Sequence, residues 1–118
     1  MKISVIVVNY NKPELLRNCL FSLKKNDYPS FDIIVVDNGS SDCSLSMLKE
    51  QFPEVDVLEM GYNSGFCKAN NVGIRYALDN GSDSVILLNN DTEVDHKFIK
   101  ALDQAIDVVN NIGTIAGK

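Results

Sequence analysis

The feature that most restricts how this chain can fold is an alternation. Short β-branched runs at residues 3–8, 31–36, 55–58 and 85–88 are separated by longer segments in which apolar residues recur at helical spacing. Strands interleaved with helices pack as a mainly parallel sheet flanked by helices, an α/β fold, because each parallel crossover needs about a dozen residues or more. Unbroken apolar runs such as ISVIVV fit a sheet buried on both faces, where in–out alternation is not expected. Pro13 opens the first helical segment, where its missing N–H costs nothing, and Leu15, Leu16, Cys19, Leu20 and Leu23 follow at helical spacing. Residues 44–52 repeat the pattern through Leu45, Leu48 and Phe52. Residues 66–78 carry Ala69, Gly73 and Ala77 at four-residue steps, small enough for close packing on a sheet. A fourth helix is expected over 97–110, with Phe98, Leu102, Ala105, Ile106 and Val109 on one face. The 118 residues contain no further repeat and no low-complexity linker, so they read as one domain.

Every run is followed by polar turn formers: Asn9 to Asn11, Asp37 to Asp42, Gly61 to Gly65, and Asn89 to Asp91. Ligands of open α/β sheets bind outside the carboxyl ends of the strands, so four such clusters on one edge make a candidate site. Part of this polarity serves turns and caps, and Asp42 is placed to cap the second helix. No glycine follows the first strand, which excludes the dinucleotide fingerprint, and no Walker loop precedes a helix. The Gly-rich, Arg-containing loop of a sugar-nucleotide pyrophosphorylase is absent too. A receiver domain would need acidic residues where Asn9 and Asn11 stand. The formal charge of -5 argues against a nucleic-acid partner, because phosphate-backbone binding relies on basic surface. An acidic chain that takes an anionic ligand needs local help from backbone N–H groups or a metal ion. Cys19, Cys43 and Cys67 lie far apart, and His96 stands beside none of them, so they read as reduced thiols rather than a zinc site. The first residues lack the layout of a secretory leader, and no apolar stretch approaches the roughly 18 residues of a membrane span.

Four segments, SVIVVNYN (4–11), IVVDNGSSD (34–42), NSGFCKANNVG (63–73) and LLNNDT (87–92), fall in register at the ends of successive strands. In order and spacing they resemble the nucleotide-sugar half of inverting family 2 glycosyltransferases, which have the Rossmann-like GT-A fold. The resemblance extends over residues 2–118, and its third and fourth segments look most like the rhamnosyltransferase-type branch that builds bacterial cell-surface polysaccharides. It implies transfer of a sugar, with inversion, from a UDP- or dTDP-activated donor to a saccharide or lipid-linked acceptor. It also implies a cytoplasmic enzyme, and it leaves open whether that enzyme is free or peripheral at the inner face of the membrane.

Residue roles follow from the same resemblance. Asp37 matches the position that accepts a hydrogen bond from the imide N–H of uracil or thymine. Cytosine, with no N3 proton, would leave that carboxylate unpaired. Val8 and Tyr10 match positions lining the base pocket, while Asn38, Asn63, Gly65 and Asn90 match positions near the nucleotide. At Gly65 the missing side chain lets backbone approach the ligand. Asp91 matches the last aspartate of an Asp-x-Asp motif that holds a divalent cation, Mn2+ or Mg2+, on the donor diphosphate. Asn89 replaces the first aspartate and offers the metal a weaker field. Lys68, Glu93, Asp95 and His96 read as surface residues. None of these residues chooses between UDP and dTDP or sets an oligomeric state.

In this family the general base lies after the Asp-x-Asp region, in the acceptor-binding half, which places it downstream of Lys118. The expectation is therefore that residues 1–118 form the donor-nucleotide half of a longer, truncated enzyme, binding nucleotide and metal without a catalytic base of its own. The rival reading is a non-catalytic nucleotide-binding or receiver-like regulatory module.

Overall fold

The run ISVIVVN becomes the central strand of the sheet, β1 (Ile3–Asn9), in a computed structural model that describes residues 2–26, 31–95, 97–100 and 114–117. The remaining elements follow in chain order: α1 (Pro13–Lys24), β2 (Phe31–Asp37), α2 (Ser44–Gln51), β3 (Asp56–Glu59), α3 (Phe66–Asp79), β4 (Ser84–Asn89) and β5 (Thr114–Gly117). All strand pairs are parallel, in the order β3-β2-β1-β4-β5. The sheet therefore has one strand more than the four β-branched runs predict. The fifth, TIAG, is too short and too poor in apolar residues to announce itself by pattern, and it forms by pairing Val85 with Thr114 and Leu88 with Gly117.

Both faces of the central strands are buried, which is why those runs lack alternation. On one face Ile3, Val5 and Val7 pack with Leu16, Leu20 and Leu23 of α1, and with Leu48 and Phe52 of the α2 segment. On the other, Ile6, Ile34 and Val36 meet Ala69 and Ala77 of α3. The small residues of α3 are required there: a Cβ on Gly73 would stand 2.7 Å from Ile6 Cγ2 and 3.1 Å from Val36 Cγ2. Leu15 departs from the expected stripe; the buried side of α1 is Leu16, Cys19, Leu20 and Leu23, and Leu15 is exposed. Val55 is buried ahead of β3 rather than in it. Of the fourth helix expected over 97–110, Phe98 packs on the core and Ile99 is buried. Leu102, Ala105, Ile106 and Val109 lie outside the described residues, as do His96 and Lys118, the residue beyond which the general base is expected.

The strand order places the site. From β1 the chain moves outward through β2 and β3 on one side, then crosses to β4 and β5 on the other. Connections that leave in opposite directions open a crevice at the carboxyl ends of β1 and β4, the switch point at which open α/β sheets take their ligands. Among the described residues no helix is long and apolar enough to cross a membrane.

Candidate functional site

β1 and β2 end in register, Asn9 opposite Asp37. Both side chains are buried, and each buried polar atom needs a partner. Asp37 Oδ1 accepts from Asn9 Nδ2 at 3.3 Å, and Oδ2 accepts from the backbone N–H of Ser40 at 2.9 Å. Asn9 Nδ2 also donates to Ser40 Oγ at 3.2 Å, and that hydroxyl oxygen accepts the Asn11 N–H at 2.7 Å. Asn11 Oδ1 accepts in turn from Ser41 N at 3.0 Å. The two loops are thereby joined along their length. Asn11 and Lys12 hold the left-handed conformation, with φ of 58° and 60°, as the chain turns into α1. An ionised carboxylate offers about four lone-pair directions, and these donors occupy two of them on Asp37.

A second cluster joins the loops after β2 and β3. Asn38 Nδ2 donates to Asn63 Oδ1 at 3.0 Å and to the Gly65 carbonyl at 3.3 Å. Asn38 Oδ1 accepts from both the N–H and the hydroxyl of Ser64, each at 2.8 Å. Gly39 sits where these loops touch: its φ is +83°, and a Cβ there would stand 2.6 Å from the carbonyl carbon of Tyr62. Gly65 is required differently, since its φ is +88° but a Cβ would meet no protein atom within 4 Å. Lys68 is exposed, as expected of a surface charge, and it donates to the Tyr62 hydroxyl at 2.9 Å, bracing the loop.

The third cluster lies across the switch point. Asn90 Nδ2 donates to Asn9 Oδ1 at 3.0 Å, so the loop after β4 is tied to the β1–β2 pair. Asn89 and Asp91 are exposed at the same edge. Beneath them the Cys19 thiol donates to the Asn89 carbonyl at 3.8 Å. Burial, and then the Asp91 and Glu93 carboxylates, push that thiol up to about 12, so it stays protonated at neutral pH. Cys43 and Cys67 are exposed, free thiols. No group of three His, Cys, Asp or Glu side chains able to hold a metal gathers among the described residues. One exposed carboxylate with a neighbouring carboxamide fits a hard cation that arrives with a diphosphate, since Mg2+ is often held by one or two carboxylates plus substrate phosphates. It does not fit a closed, all-protein cage.

The fold thus gathers Asp37, Asn38, Asn63, Gly65 and Asn90 into linked clusters, with Asn89 and Asp91 alongside. Val8 is half-buried against the Ile6 and Val36 cluster, and Tyr10 is exposed beyond it. Asn9 and Ser40 hold the set together, yet nothing local in the sequence separates them from ordinary turn residues. The available signal was the position of Asn9 as the last residue of a central strand. Asp42 stands one residue ahead of the cap position, Cys43, and holds the start of α2 from there. Its Oδ1 accepts from the hydroxyl and the N–H of Ser44 at 2.6 and 2.9 Å, and the hydroxyl above all keeps the Asp42 carboxyl below its ordinary range. A cleft of about 740 Å³ lies elsewhere, between α1 and residues 93–95, and none of the strand-end residues lines it.

A parallel sheet whose polar, cross-linked edge falls at the switch point defines a Rossmann-like α/β domain with a ligand site at its strand ends. Residues 4–116 match the family model for glycosyl transferase family 2, and the chain belongs to that family. It is 35% identical over 118 residues to the dTDP-rhamnosyl transferase RfbF of Shigella flexneri, covering 98% of this chain and 37% of that protein. It is 36% identical over 101 residues to the low-salt glycan biosynthesis hexosyltransferase Agl10 of Haloferax volcanii, covering 85% and 31%. The chain thus spans about a third of the length of these relatives. Among solved structures it resembles S. aureus TarS 1–349 in complex with UDP-GlcNAc, with a TM-score of 0.81 and 30% identity, over 92% of this chain and 32% of that one. It also resembles the mannosyltransferase PcManGT of Pyrobaculum calidifontis in complex with GDP-Man and Mn2+, with a TM-score of 0.68 and 27% identity, over 76% and 27%. The fold is the GT-A fold, and membership of a glycosyltransferase family sets the receiver-like reading aside.

Proposed function

We propose that this chain binds a UDP- or dTDP-activated sugar along the carboxyl ends of β1, β2 and β4, and that the parent enzyme transfers the sugar, with inversion, to a saccharide or lipid-linked acceptor. The observation that carries the reading is Asp37, a buried carboxylate at the switch-point edge whose two donors leave acceptor capacity for an imide N–H. Val8 and Tyr10 flank the base, Asn38 and Asn63 hold the loops that shape the pocket, and Gly65 lets backbone approach the ligand. Asn90 contacts the nucleotide from the β4 side. Asp91 and Asn89 hold a divalent cation, Mn2+ or Mg2+, which when bound supplies positive charge to offset that building on the departing diphosphate. The general base for the acceptor hydroxyl belongs to a part of the parent enzyme beyond Lys118.

Support comes from relatives whose names or complexes carry such donors: a dTDP-rhamnosyl transferase, and TarS in complex with UDP and with UDP-GlcNAc. The Mn2+ of the mannosyltransferase complex supports the cation. A lipid-linked acceptor would set the parent enzyme in the cytoplasm, peripheral at the inner face of the membrane, which membrane fractionation tests.

Titration calorimetry with UDP, dTDP and CDP, each with and without Mg2+ or Mn2+, tests the donor assignment. Cytosine sets an N3 lone pair rather than an N–H against Asp37 and so forgoes a hydrogen bond to a charged group, worth about 1.5–3 kcal/mol, so CDP should bind roughly tenfold or more weakly than UDP. Metal should strengthen UDP binding in the wild type and not in Asp91→Ala. Equal affinity for all three nucleotides, or for none, would refute the reading.

A further inference from the structure

Among the described residues, Asn9 is the fully buried side chain that touches two of the three clusters at once. It has no exposed surface, and its carboxamide makes three hydrogen bonds: Nδ2 to Asp37 Oδ1 and to Ser40 Oγ, and Oδ1 from Asn90 Nδ2. These partners settle which way the amide faces. Asp37 presents a carboxylate oxygen and so demands the Asn9 nitrogen, which leaves the Asn9 oxygen to accept from the Asn90 amide. A flipped amide would set two oxygens against each other at Asp37 and two NH2 groups against each other at Asn90. The orientation of Asn9 is therefore set by Asp37 on the β2 side of the crevice and braced by Asn90 from the β4 side.

Resting on the donor-nucleotide reading above, we propose that Asn9 is a positioning residue for nucleobase selection. Its Nδ2 fixes the rotation of the Asp37 carboxylate, so that an acceptor oxygen faces the base. Asn90 keeps Asn9 in the orientation that does this. The residue after β4 thereby acts on the choice of base from the far side of the switch point, without touching Asp37. Without the Asn9 donor the carboxylate loses that fixed rotation, its bond to an imide N–H misaligns, and UDP loses a contact that CDP never makes. The expected signature is a loss of preference between bases rather than a uniform loss of binding.

The test measures UDP and CDP affinity by calorimetry in EDTA, so that the cation plays no part, for the wild-type chain, Asn9→Leu and Asn90→Asp. Asn90→Asp changes a partly exposed residue, and it replaces the N–H facing Asn9 Oδ1 with an acceptor, which favours the flipped amide. Both variants should lower the UDP-over-CDP preference by roughly tenfold, the worth of one hydrogen bond to a charged group; Asn90→Asp, at a residue placed on the nucleotide, weakens both nucleotides besides, so the ratio is what is read. Thermal melts run alongside; should Asn9→Leu fail to fold, Asn90→Asp carries the test alone. An unchanged UDP-to-CDP ratio in the folded variants, whatever the loss in overall affinity, would show that Asn9 is merely structural and overturn the proposal. A wild-type chain without preference between UDP and CDP would instead sink the donor reading, and this proposal with it.

Discussion

Gly39 and Gly65 both have a positive φ, but they are glycines for different reasons, and the difference can be measured. At Gly39 an alanine would bear two costs. Its φ of +83° disfavours any side chain, at about 1–2 kcal/mol, and its Cβ would lie 2.6 Å from Tyr62 C, 2.7 Å from Tyr62 Cα and 2.8 Å from Asn63 N. Those are backbone atoms, held by the Asn38–Asn63–Ser64 hydrogen bonds, so no flexible side-chain end can yield. Overpacking of this kind adds about 1–3 kcal/mol, for a total of about 2–5 kcal/mol in Gly39→Ala. Gly65→Ala bears only a conformational cost, about 1–3 kcal/mol for a φ of 88° with a ψ of 158°, since a Cβ there meets no protein atom within 4 Å. Urea unfolding followed by circular dichroism reads both variants against the wild type. With a slope of roughly 1–3 kcal/mol per molar, the Gly39→Ala midpoint should fall by about 0.7–5 M, more than that of Gly65→Ala. If the two variants were equally stable, the close approach of the β2 and β3 loops would be wrong, and the shape of the proposed pocket with it.

Three further outcomes are expected. Asn38→Ala removes the acceptor shared by the two donors of Ser64 and the donor shared by Asn63 and Gly65, and should cost about 2–4 kcal/mol in the same urea assay. The Cys19 thiol keeps its proton up to about 12 when folded but loses it near 9.0 when unfolded. The folded state thus holds the extra proton between those values, its stability is complete below pH 9 and falls as pH rises towards 12, and Cys19→Ala should flatten that slope in pH-dependent melts. At pH 8 a thiol reagent should modify the exposed Cys43 and Cys67 quickly and reach Cys19 only on unfolding, which mass spectrometry resolves.

The strands were legible because a parallel sheet buried on both faces selects continuous β-branched runs, and ISVIVV and FDIIVV carry that selection openly. The helix stripes were legible except at their margins: Leu15 shares the spacing of its neighbours but lies beside the buried side of α1. TIAG was not, since four residues hold no period and the pairing of β5 with β4 is a long-range event. At the site, Asp37 and Asp91 stood out because the segments that carry them, IVVDNGSSD and LLNNDT, resemble family 2 glycosyltransferases. Asn9 did not, because its role exists only once the β1–β2 register sets it opposite Asp37 and the β4 loop brings Asn90 to its oxygen. Gly39 likewise read as a turn former, since the Tyr62 backbone it must clear lies 23 residues away in sequence and comes close only in the folded chain.

The central claim is that Asp37 accepts the imide proton of a uracil or thymine base, and the most direct measurement observes that proton. UDP labelled with 15N at N3, added to the chain with Mg2+, should show in the NMR spectrum an imide resonance protected from exchange with water. That resonance should disappear in Asp37→Ala at nucleotide concentrations raised to restore saturation. An imide proton in the wild-type complex that exchanges as fast as in free UDP, or one that stays protected without Asp37, would contradict the account.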